Sequence, residues 1–595
     1  MKKSKGLILL IAFSLLLSAC QGGLGLEQLQ RQQYNGENGN DQYKADYDIL
    51  DKGPVAGGTL NLFTTEPDTF NPIITKNTYT SDFLSFIYEG LTRLDEKQQA
   101  VPQLSDAWSV SSDGLNWNFH IRDGVKWQDG QPFTAEDVEF TVQTLLTPGI
   151  DSVYKPLLLN VATFSAIDSS NFKLVLGKPN SFMPEMMTFP IIPKHQFKQK
   201  DVLSASKKFQ PVGTGPYKFV SYTEKKNTVL KYDNNWWYLN TEENNARDSM
   251  YLKTININIF NNPDEAMGAF QTGEIDAVGI KASDFAKYKG RTDLIIKKYT
   301  SRDFEFLAFN LKNPVIADIY ARKAIALAID RDDLINDVLM GEAEAADVPV
   351  LPDSWMSDIE DISIGTAALS SDPLSSSQAS ITVNGITTTT TAAIDAKTPK
   401  EALLMGGWKE SKQGYYKLLN GVRKYLKVEL IVNSNNSIRV RAAQKITSML
   451  EQSGITAVCT QLEWNDLLAK LNTAKYDIAF TGCRIPQIPD ISYLYSNSYL
   501  PAALPVKYGN AHNVSGYFNM QVDAYITAMF NENNTDRKKT IYKAAKEQVT
   551  NDLPYIGLYF LRNAMVYSKN IRGPLKPDVW NLYNDMTHWY KPELP

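Results

Sequence analysis

Few residues of this 595-residue chain have the types and spacing that catalysis requires. No histidine lies in an HExxH metal-binding motif or near a G-x-S-x-G nucleophile turn. The four histidines are His120, His195, His512 and His588. The 66 aspartates and glutamates are spread along the chain, and pairs such as Asp332 and Asp333 fit the first turns of helices better than acid–base catalysis. We therefore expect a protein that is not an enzyme, with an extracellular glycosidase as the weaker alternative.

The three cysteines give little support for a metal site. Cys20 lies near the N-terminus, and Cys459 and Cys483 have no CxxC motif and no histidine cluster beside them. A structural zinc ion needs about four thiolate or imidazole ligands, so we expect no metal and no cofactor. The spacing leaves open whether Cys459 and Cys483 form a disulfide or remain two buried thiols.

One arginine stands out in the stretch YDIAFTGCRIPQIPD, Tyr476 to Asp490. The apolar run predicts a strand over Tyr476–Phe480, and Thr481–Arg484 has the composition of a turn. Arg484 lies between a cysteine and two prolines. A guanidinium at such a break can meet a structural partner, a reacting group or the charged end of a bound molecule.

The N-terminus has the composition of a secretory signal. Three lysines precede an apolar run, and the segment LSAC that ends at Cys20 resembles the lipobox of bacterial lipoproteins. The pattern predicts a signal peptide over residues 1–19, cleavage before Cys20 and diacylglyceryl attachment to its thiol. The polar residues 20–57 would then form a flexible, lipidated tether on the extracytoplasmic face of the cell membrane. An uncleaved membrane anchor is the alternative.

Composition bounds the partners and the number of domains. The net charge of −5 gives no basic field for nucleic acid. A chain of this length with 43% hydrophobic residues can bury several cores, so we expect two or three domains. Strand and helix patterns are mixed without regular alternation, which favours interleaved α/β lobes over a barrel.

Apolar periodicity and capping residues predict individual elements. The alternating sets lie at 117–121, 172–176, 255–259 and 426–432, and the predicted helices begin at Thr134, Asp318, Asp330, Ser437 and Thr535. The Ser- and Thr-rich residues 357–400 predict a surface insertion. GTGPYKF, Gly213–Phe219, predicts a close turn before a strand and lacks the lysine of a phosphate loop.

Seven segments, in order along the chain, resemble a single protein family. They are GGTLNLFTTEPDTFNP (57–72), IYEGLTRLDEKQQAVPQLSDAW (87–108), WNFHIRDGVKWQDGQPFTAEDVEFT (117–141), PVGTGPYKFVSY (211–222), AFQTGEIDAV (269–278), FLAFNLKNPVIADIYARKAIALAIDRDDLI (306–335) and GITAVCTQLEWNDLLAKLNTAKYDIAF (454–480). Together they are similar to the extracytoplasmic solute-binding proteins of the oligopeptide, dipeptide and nickel importers.

The resemblance implies an α/β fold of the periplasmic-binding-protein type (type II, class C), with two lobes around a cleft. Lobe I would comprise residues 58–81, 193–303 and 557–595, with an extra subdomain, residues 82–192, inserted in it. Lobe II would comprise residues 304–556. The chain crossings near FEFLAFN and LPYIGLYF would act as the hinge.

The implied function is capture of an oligopeptide by a lipid-anchored monomer and its delivery to an ABC permease in the membrane. Two alternatives stay open. The same fold could bind an oligosaccharide or a blocked or acidic peptide, and it could act as a peptide-signal sensor.

The resemblance also implies the ligand contacts. They are Thr65, Glu66, Asn77, Thr78, Tyr79, Phe309, Asn310, Trp355, Thr481, Gly482, Cys483 and Arg484. Many relatives carry an aspartate in the turn after the lobe II strand, where it pairs with the ligand's α-amino group. Arg484 occupies the matching position here and cannot accept an ammonium group. Arg484 would bind a ligand anion or pair with Glu66 or Asp490, or a shifted register would give the amine role to Asp490.

Overall fold

The computed structural model describes residues 53–197, 209–241, 250–288, 290–357, 380–383, 386–389, 394–499 and 513–592. The predicted signal peptide, Cys20 and most of the tether lie outside the described residues, as does much of the Ser- and Thr-rich insertion. Residues 56–589 form one compact unit. The architecture that follows is that of residues 56–589. None of the described helices is both long enough and apolar enough to cross a membrane.

Two four-stranded sheets contain strands of alternating apolar residues, and Thr59–Thr64, Thr254–Ile259, Asn116–Ile121 and Asn171–Leu176 bury one face. The first sheet has the strand order Thr59–Thr64, Thr254–Ile259, Asn227–Tyr232 and Tyr217–Thr223. The second has the strand order Ser105–Val110, Asn116–Ile121, Asn171–Leu176 and Val161–Ala166. These sheets confirm the strands predicted at 117–121, 172–176 and 255–259, and their inner faces share one apolar core.

The largest sheet has seven strands. Its order is Ala277–Lys281, Tyr555–Ser568, Leu294–Phe309, Ile478–Arg484, Lys427–Asn433 and Thr456–Leu462, with Ala343–Ala345 paired beside Tyr555–Ser568. The last three strands of this order are parallel and are connected through the helices Ser437–Gln452 and Trp464–Asn472. Parallel strands place their carboxyl ends at one edge, where open α/β sheets bind ligands. The strand predicted at 426–432 is confirmed as the middle strand of this parallel unit.

Shorter strands complete the sheet structure. They are the pair Thr92–Leu94 and Ala100–Pro102, the pair Ser380–Val383 and Ile386–Thr389, and the triplet Lys409–Ser411, Gly414–Leu419 and Val422–Tyr425. The second pair is a hairpin within the predicted insertion, 357–400.

Helices begin at capping residues, as the sequence predicts. The predicted starts at Thr134, Asp318, Asp330, Ser437 and Thr535 are confirmed to within one residue. The described α-helices are Thr78–Leu84, Ala135–Leu146, Met183–Met186, Pro263–Gln271, Ile319–Ala328, Arg331–Leu339, Pro399–Met405, Ser437–Gln452, Trp464–Asn472, Ser492–Tyr495, Met520–Asn531 and Thr535–Asp552.

The strands Leu294–Phe309 and Tyr555–Ser568 pair antiparallel and are called the long strand pair below. The two segments at which the sequence predicts a hinge fall on this pair, so both chain crossings are neighbours in one sheet. The register of the pair shifts between Thr300 and Phe304 and again between Glu305 and Phe306. Such irregularities interrupt the ladder hydrogen bonds. The interruption therefore lies beside the predicted hinge, which itself stays a prediction.

The strand that ends in Arg484 is longer than the sequence predicts. Thr481–Arg484, predicted as a turn, pair in antiparallel register with Asp303–Phe306. The turn prediction is wrong because the neighbouring long strand supplies hydrogen-bond partners for the backbone N–H and C=O groups of these residues. Continued strand pairing therefore satisfies groups that a turn would leave without these partners. Arg484 is consequently the last residue of a strand.

Candidate ligand-binding site

Arg484 ends its strand at the carboxyl edge of the parallel unit, and its side chain is exposed. Within the part of the chain that the structure describes, its guanidinium makes no hydrogen bond or ion pair. A guanidinium presents a planar fork of N–H donors that matches the two oxygens of a carboxylate. The position is therefore suited to an anion from outside the protein.

The two acids considered as internal partners of Arg484 have other contacts. The Glu66 carboxylate accepts a hydrogen bond from the Tyr222 hydroxyl. The Asp490 carboxylate accepts the N–H of Ser492 at 2.7 Å and its hydroxyl at 2.8 Å. Among the described residues neither acid forms an ion pair with Arg484. Both Asp490 oxygens also support the helix that follows, so an amine bound there would compete with the Ser492 contacts.

The positive charge of Arg484 acts on the carboxyl of Asp82, a residue that the sequence did not single out. It lies in the helix Thr78–Leu84 and is half-buried. Burial raises the pKa of its carboxyl to about 7, and the positive charge of Arg484 opposes that rise.

The negative charge of Asp82 also affects four tyrosines. The pKa values of four tyrosines are raised by burial and, as a further cause, by the negative charge of Asp82. These are Tyr79, Tyr154, Tyr299 and Tyr583. Tyr299 belongs to the long strand pair and also senses the charge of Arg484, so it lies within electrostatic reach of both charges. Tyrosine rings pack well against organic groups, and their hydroxyls add hydrogen-bonding capacity.

Two contacts connect the chain on either side of the helix Thr78–Leu84 with the segments of Tyr583 and Tyr154. Tyr583 packs edge-on against Phe86, with ring centroids 5.0 Å apart. Lys76 Nζ lies 2.9 Å from Asp151 Oδ1, which holds the segment of Tyr154 near the start of the helix.

The segment that follows Arg484 contacts residues of the predicted subdomain 82–192. Gln98 Nε2 donates to the carbonyl of Gln487 at 2.8 Å, and Gln487 Nε2 donates to Thr188 Oγ1 at 2.9 Å. These hydrogen bonds connect the segment carrying Arg484 with the part of the chain that carries Asp82.

A buried ion pair lies beneath the last strand residues before Arg484. Arg439 donates through Nε and Nη2 to the two carboxylate oxygens of Glu305, each at 2.7 Å. A Cβ atom at Gly482 would lie 2.6 Å from Glu305 Oε1 and 2.8 Å from Arg439 Nη2. A side chain at this position would therefore have to displace the ends of the Glu305 and Arg439 side chains. Gly482 acts through close packing, and its contribution to the site is indirect.

Arg302 fixes the residue that follows Arg484. Its Nε donates to the carbonyl of Ile485 at 2.7 Å, and its guanidinium packs over the Trp580 ring, 5.1 Å from the centroid. Burial and the neighbouring charge of Arg484 lower the pKa of Arg302 to about 10. The two arginines repel each other, which favours an anion near Arg484.

The predicted ligand contacts that follow the strand Thr59–Thr64 are connected by hydrogen bonds. Asn77 Nδ2 donates to Thr65 Oγ1 at 2.8 Å and to the carbonyl of Glu66 at 3.1 Å, and its Oδ1 caps the helix Thr78–Leu84. Thr78 is exposed, and Tyr79 is half-buried. Asn77 thus uses its amide to position the helix that carries Tyr79 and Asp82.

Five other predicted contacts are buried. Phe309, Asn310, Trp355, Thr481 and Cys483 expose between 0% and 9% of their surface. Asn310 Nδ2 donates to two backbone carbonyls, and the Cys483 thiol lies 3.9 Å from the Tyr493 hydroxyl. These residues support the sheet beneath the site and present little surface to a ligand.

The described residues contain no disulfide and no metal cluster. Cys459 and Cys483, whose pairing the sequence left open, are both free thiols. No group of three or more His, Cys, Asp or Glu side chains among the described residues is placed to hold a metal ion.

Known proteins resemble this chain in sequence and in fold. Residues 99–502 match the family model of bacterial extracellular solute-binding proteins, family 5 Middle. The oligopeptide-binding protein OppA of Bacillus subtilis (strain 168) is 24% identical over 612 residues, which cover 98% of this chain and 99% of that protein.

Two solved structures show the same fold. The periplasmic murein tripeptide binding protein MppA, in its unliganded open form, has a TM-score of 0.71 at 18% identity, with 91% of this chain and 99% of that chain covered. NikZ from Campylobacter jejuni, in complex with Ni(L-His), has a TM-score of 0.60 at 23% identity, with 90% and 99% covered. These similarities confirm the mixed α/β fold of periplasmic binding proteins. The chain therefore belongs to the bacterial extracellular solute-binding proteins of family 5, which are non-enzymatic, ligand-binding components of ABC transporters.

Proposed function

We propose that this protein captures oligopeptides in a cleft between two lobes and delivers them to a membrane permease. The lobes would be those expected from the sequence, with the long strand pair as the hinge. The observation that carries the proposal is the unpaired guanidinium of Arg484, which fits the carboxylate of a peptide. Ligand binding would favour the closed arrangement only through contacts absent from the open one.

The relatives favour a peptide but allow other ligands. OppA is named for oligopeptides and MppA for a murein tripeptide, whereas NikZ holds a nickel–histidine complex. A neutral oligosaccharide would leave the charge of Arg484 unmatched at a desolvation penalty. Charge complementarity therefore supports the peptide over the sugar.

A lipid anchor would hold this binding module at the membrane. Cys20 lies outside the described residues, so the proposal rests on the LSAC sequence and the polar segment after it. We propose that the mature chain is a monomer attached to the extracytoplasmic face of the membrane through diacylglyceryl-Cys20. Mass spectrometry of the membrane-extracted protein should find a lipidated N-terminal cysteine, and a chain that retains residues 1–19 would contradict the anchor.

Ligand release and thermal shift test the peptide proposal. Small molecules released from the purified protein by denaturation should include peptides, and a peptide pool should raise the melting temperature because a ligand of the native state stabilises it. A shift with oligosaccharides and none with peptides would contradict the proposal.

Replacing Arg484 tests the contact that carries the proposal. Arg484→Ala should weaken binding of a peptide with a free carboxylate by about 30-fold or more, because a charge-assisted bidentate contact contributes about 2 kcal/mol. Isothermal titration of the full-length protein measures the change. Arg537→Ala, at an exposed position of the helix Thr535–Asp552, is the matched control and should leave affinity unchanged. Unchanged affinity in Arg484→Ala would show that Arg484 does not bind the carboxylate of the peptide.

A further inference from the structure

The three short strands Lys409–Ser411, Gly414–Leu419 and Val422–Tyr425 form a sheet of their own, called the basic sheet below. Residues 409–427 contain six lysines and arginines but one acid, whereas the whole chain has a net charge of −5. The acid, Glu410, is itself paired with a lysine that precedes the sheet. The basic sheet is therefore a local concentration of positive charge on a chain that is acidic overall.

Five of these six cations form no ion pair with the residues that the structure describes. The five are all exposed and are Lys409, Lys412, Arg423, Lys424 and Lys427. The sixth, Lys417, is paired with Asp318. Cations that lie close together without partners repel one another, so an anionic surface that approaches them is strongly attracted.

One face of the basic sheet combines cations with aromatic rings. Strand pairing places Lys409 opposite Tyr416, and Tyr416 opposite Tyr425. The centroids of the two tyrosine rings are 5.8 Å apart. The Arg423 guanidinium lies 4.4 Å from the centroid of Tyr416, and Lys427 Nζ lies 5.8 Å from that of Tyr425. Cations therefore border two half-buried rings on this face.

The tip of the hairpin in the basic sheet exposes apolar side chains on both of its faces. Asn420 and Gly421 have φ angles of 51° and 77°, as in the tight type I′ turn of two-residue hairpin loops. Beside this turn Leu418 exposes 60% of its surface and Val422 exposes 55%, and strand pairing puts them on opposite faces. Tyr415, at the other end of the same strand, is buried in the core. The tip therefore extends beyond the part of the sheet that the core covers.

We propose that the basic sheet binds the surface of an anionic lipid membrane, with the hairpin tip inserted among the lipid headgroups. Charge complementarity carries the proposal, because the five unpaired cations would meet lipid phosphates. Leu418 and Val422 would enter the boundary of the acyl chains, and the tyrosines would lie at the headgroup level that aromatic side chains favour. This contact is separate from the peptide site and from the lipid on Cys20, and it would set the orientation of residues 56–589 on the membrane.

Composition favours a lipid surface over an acidic protein as the partner. Four of the five unpaired cations are lysines, which are depleted in protein–protein interfaces. A lysine at a membrane boundary covers apolar surface with its stem while its ammonium group stays in water beside the phosphates. An anionic membrane also presents phosphates across its whole surface, so cations that are spread over a sheet are all matched.

Vesicle sedimentation tests the proposal on a chain that carries no lipid. The chain from residue 20 onward with Cys20→Ser retains the whole compact unit, residues 56–589. We expect it to bind vesicles of equimolar phosphatidylglycerol and phosphatidylcholine, and to bind vesicles of phosphatidylcholine alone at least about 10-fold more weakly. Higher ionic strength should release it. Equal binding to the two kinds of vesicle, or binding to neither, would overturn the proposal.

The double substitution Arg423→Gln with Lys424→Gln tests whether the basic sheet makes the contact. It should weaken binding to the phosphatidylglycerol vesicles about 10-fold or more, because each cation near an anionic surface contributes about 5-fold. Arg537→Gln with Lys543→Gln, at exposed positions of the helix Thr535–Asp552, changes the net charge equally and should leave binding unchanged. Equal losses in the two double variants would show an effect of net charge alone and overturn the site.

Replacing the apolar residue at the tip tests the insertion. Leu418→Ser should weaken vesicle binding by about 5-fold, because an apolar side chain no longer leaves water on binding. Leu159→Ser, at a leucine with 59% exposure, is the matched control and should bind as the unaltered chain does. Unchanged binding in Leu418→Ser would overturn the insertion. Absent vesicle binding, together with impaired uptake by cells that carry the Arg423 and Lys424 substitutions, would overturn the membrane contact and assign the surface to an acidic protein.

Discussion

Replacing Arg439 with methionine is expected to lower the free energy of unfolding by about 3 to 5 kcal/mol. The substitution leaves the Glu305 carboxylate buried without the two hydrogen bonds of 2.7 Å that now satisfy it. Arg439 Nη1 also donates to Asn433 Oδ1 at 2.8 Å, so a third contact disappears. Urea denaturation measured by circular dichroism gives the change. The loss should also displace the strand that ends in Arg484, because Gly482 packs on this ion pair.

The pH dependence of the stability of Arg439→Met tests whether the unpaired Glu305 carboxylate causes the loss. Burial raises the pKa of Glu305 and Arg439 opposes the rise, so removing Arg439 should raise that pKa further. Between the unfolded pKa of about 4.3 and the raised folded one, folding takes up a proton, so the variant should regain stability as the pH falls from 8 toward 5.

Two variants separate the lost ion pair from other effects. Arg441→Met, at an exposed position of the same helix, should change stability by less than about 0.5 kcal/mol. The double variant Glu305→Gln with Arg439→Met should recover much of the lost free energy of unfolding, because glutamine carries no charge that needs a partner. A loss in Arg439→Met that is constant with pH would contradict an unpaired Glu305.

Local chemistry made much of the fold predictable. Asp318 and Asp330 begin their helices because their short polar side chains accept backbone N–H groups that the helix leaves free. At Thr134 the backbone N–H donates instead to Asp137 Oδ2, three residues into the helix, at 3.0 Å. Strands at 117–121 and 172–176 follow from an alternation that one buried face imposes. Both signals lie within a few residues of the element they specify.

The candidate site was only partly predictable because it is assembled from distant segments. Arg484 was identified from its type and context, but its strand conformation depends on pairing with Asp303–Phe306, about 180 residues earlier. Asp82 lies in the short helix Thr78–Leu84, and the effect of the Arg484 charge on its carboxyl arises only in the tertiary structure. Phe309 and Asn310 fit the family motif, yet that motif specifies the sheet beneath the site.

The segment GTGPYKF illustrates how a conspicuous motif can serve structure alone. Its glycines allow the backbone to pass close to another segment, and Gly215 N–H donates to the carbonyl of Ile87 at 2.8 Å. Gly213 exchanges two further hydrogen bonds with Gln128, of 2.9 Å to its own carbonyl and 3.1 Å from its N–H. The strand Tyr217–Thr223 then begins as the sequence predicts.

Gly213→Ala is consequently expected to lower the free energy of unfolding by about 3 to 5 kcal/mol, while Gly268→Ala should raise it by about 0.5 to 1 kcal/mol. A Cβ atom at position 213 would lie 1.8 Å from the carbonyl oxygen of Ile87 and 2.5 Å from its carbon, so the backbone would have to separate and break these hydrogen bonds. Gly268 lies inside the helix Pro263–Gln271 with nothing within 4 Å of a new Cβ. The same added methyl group should therefore act with opposite sign at the two sites in urea denaturation. Similar small changes at both would show that the contact with Ile87 does not constrain the turn.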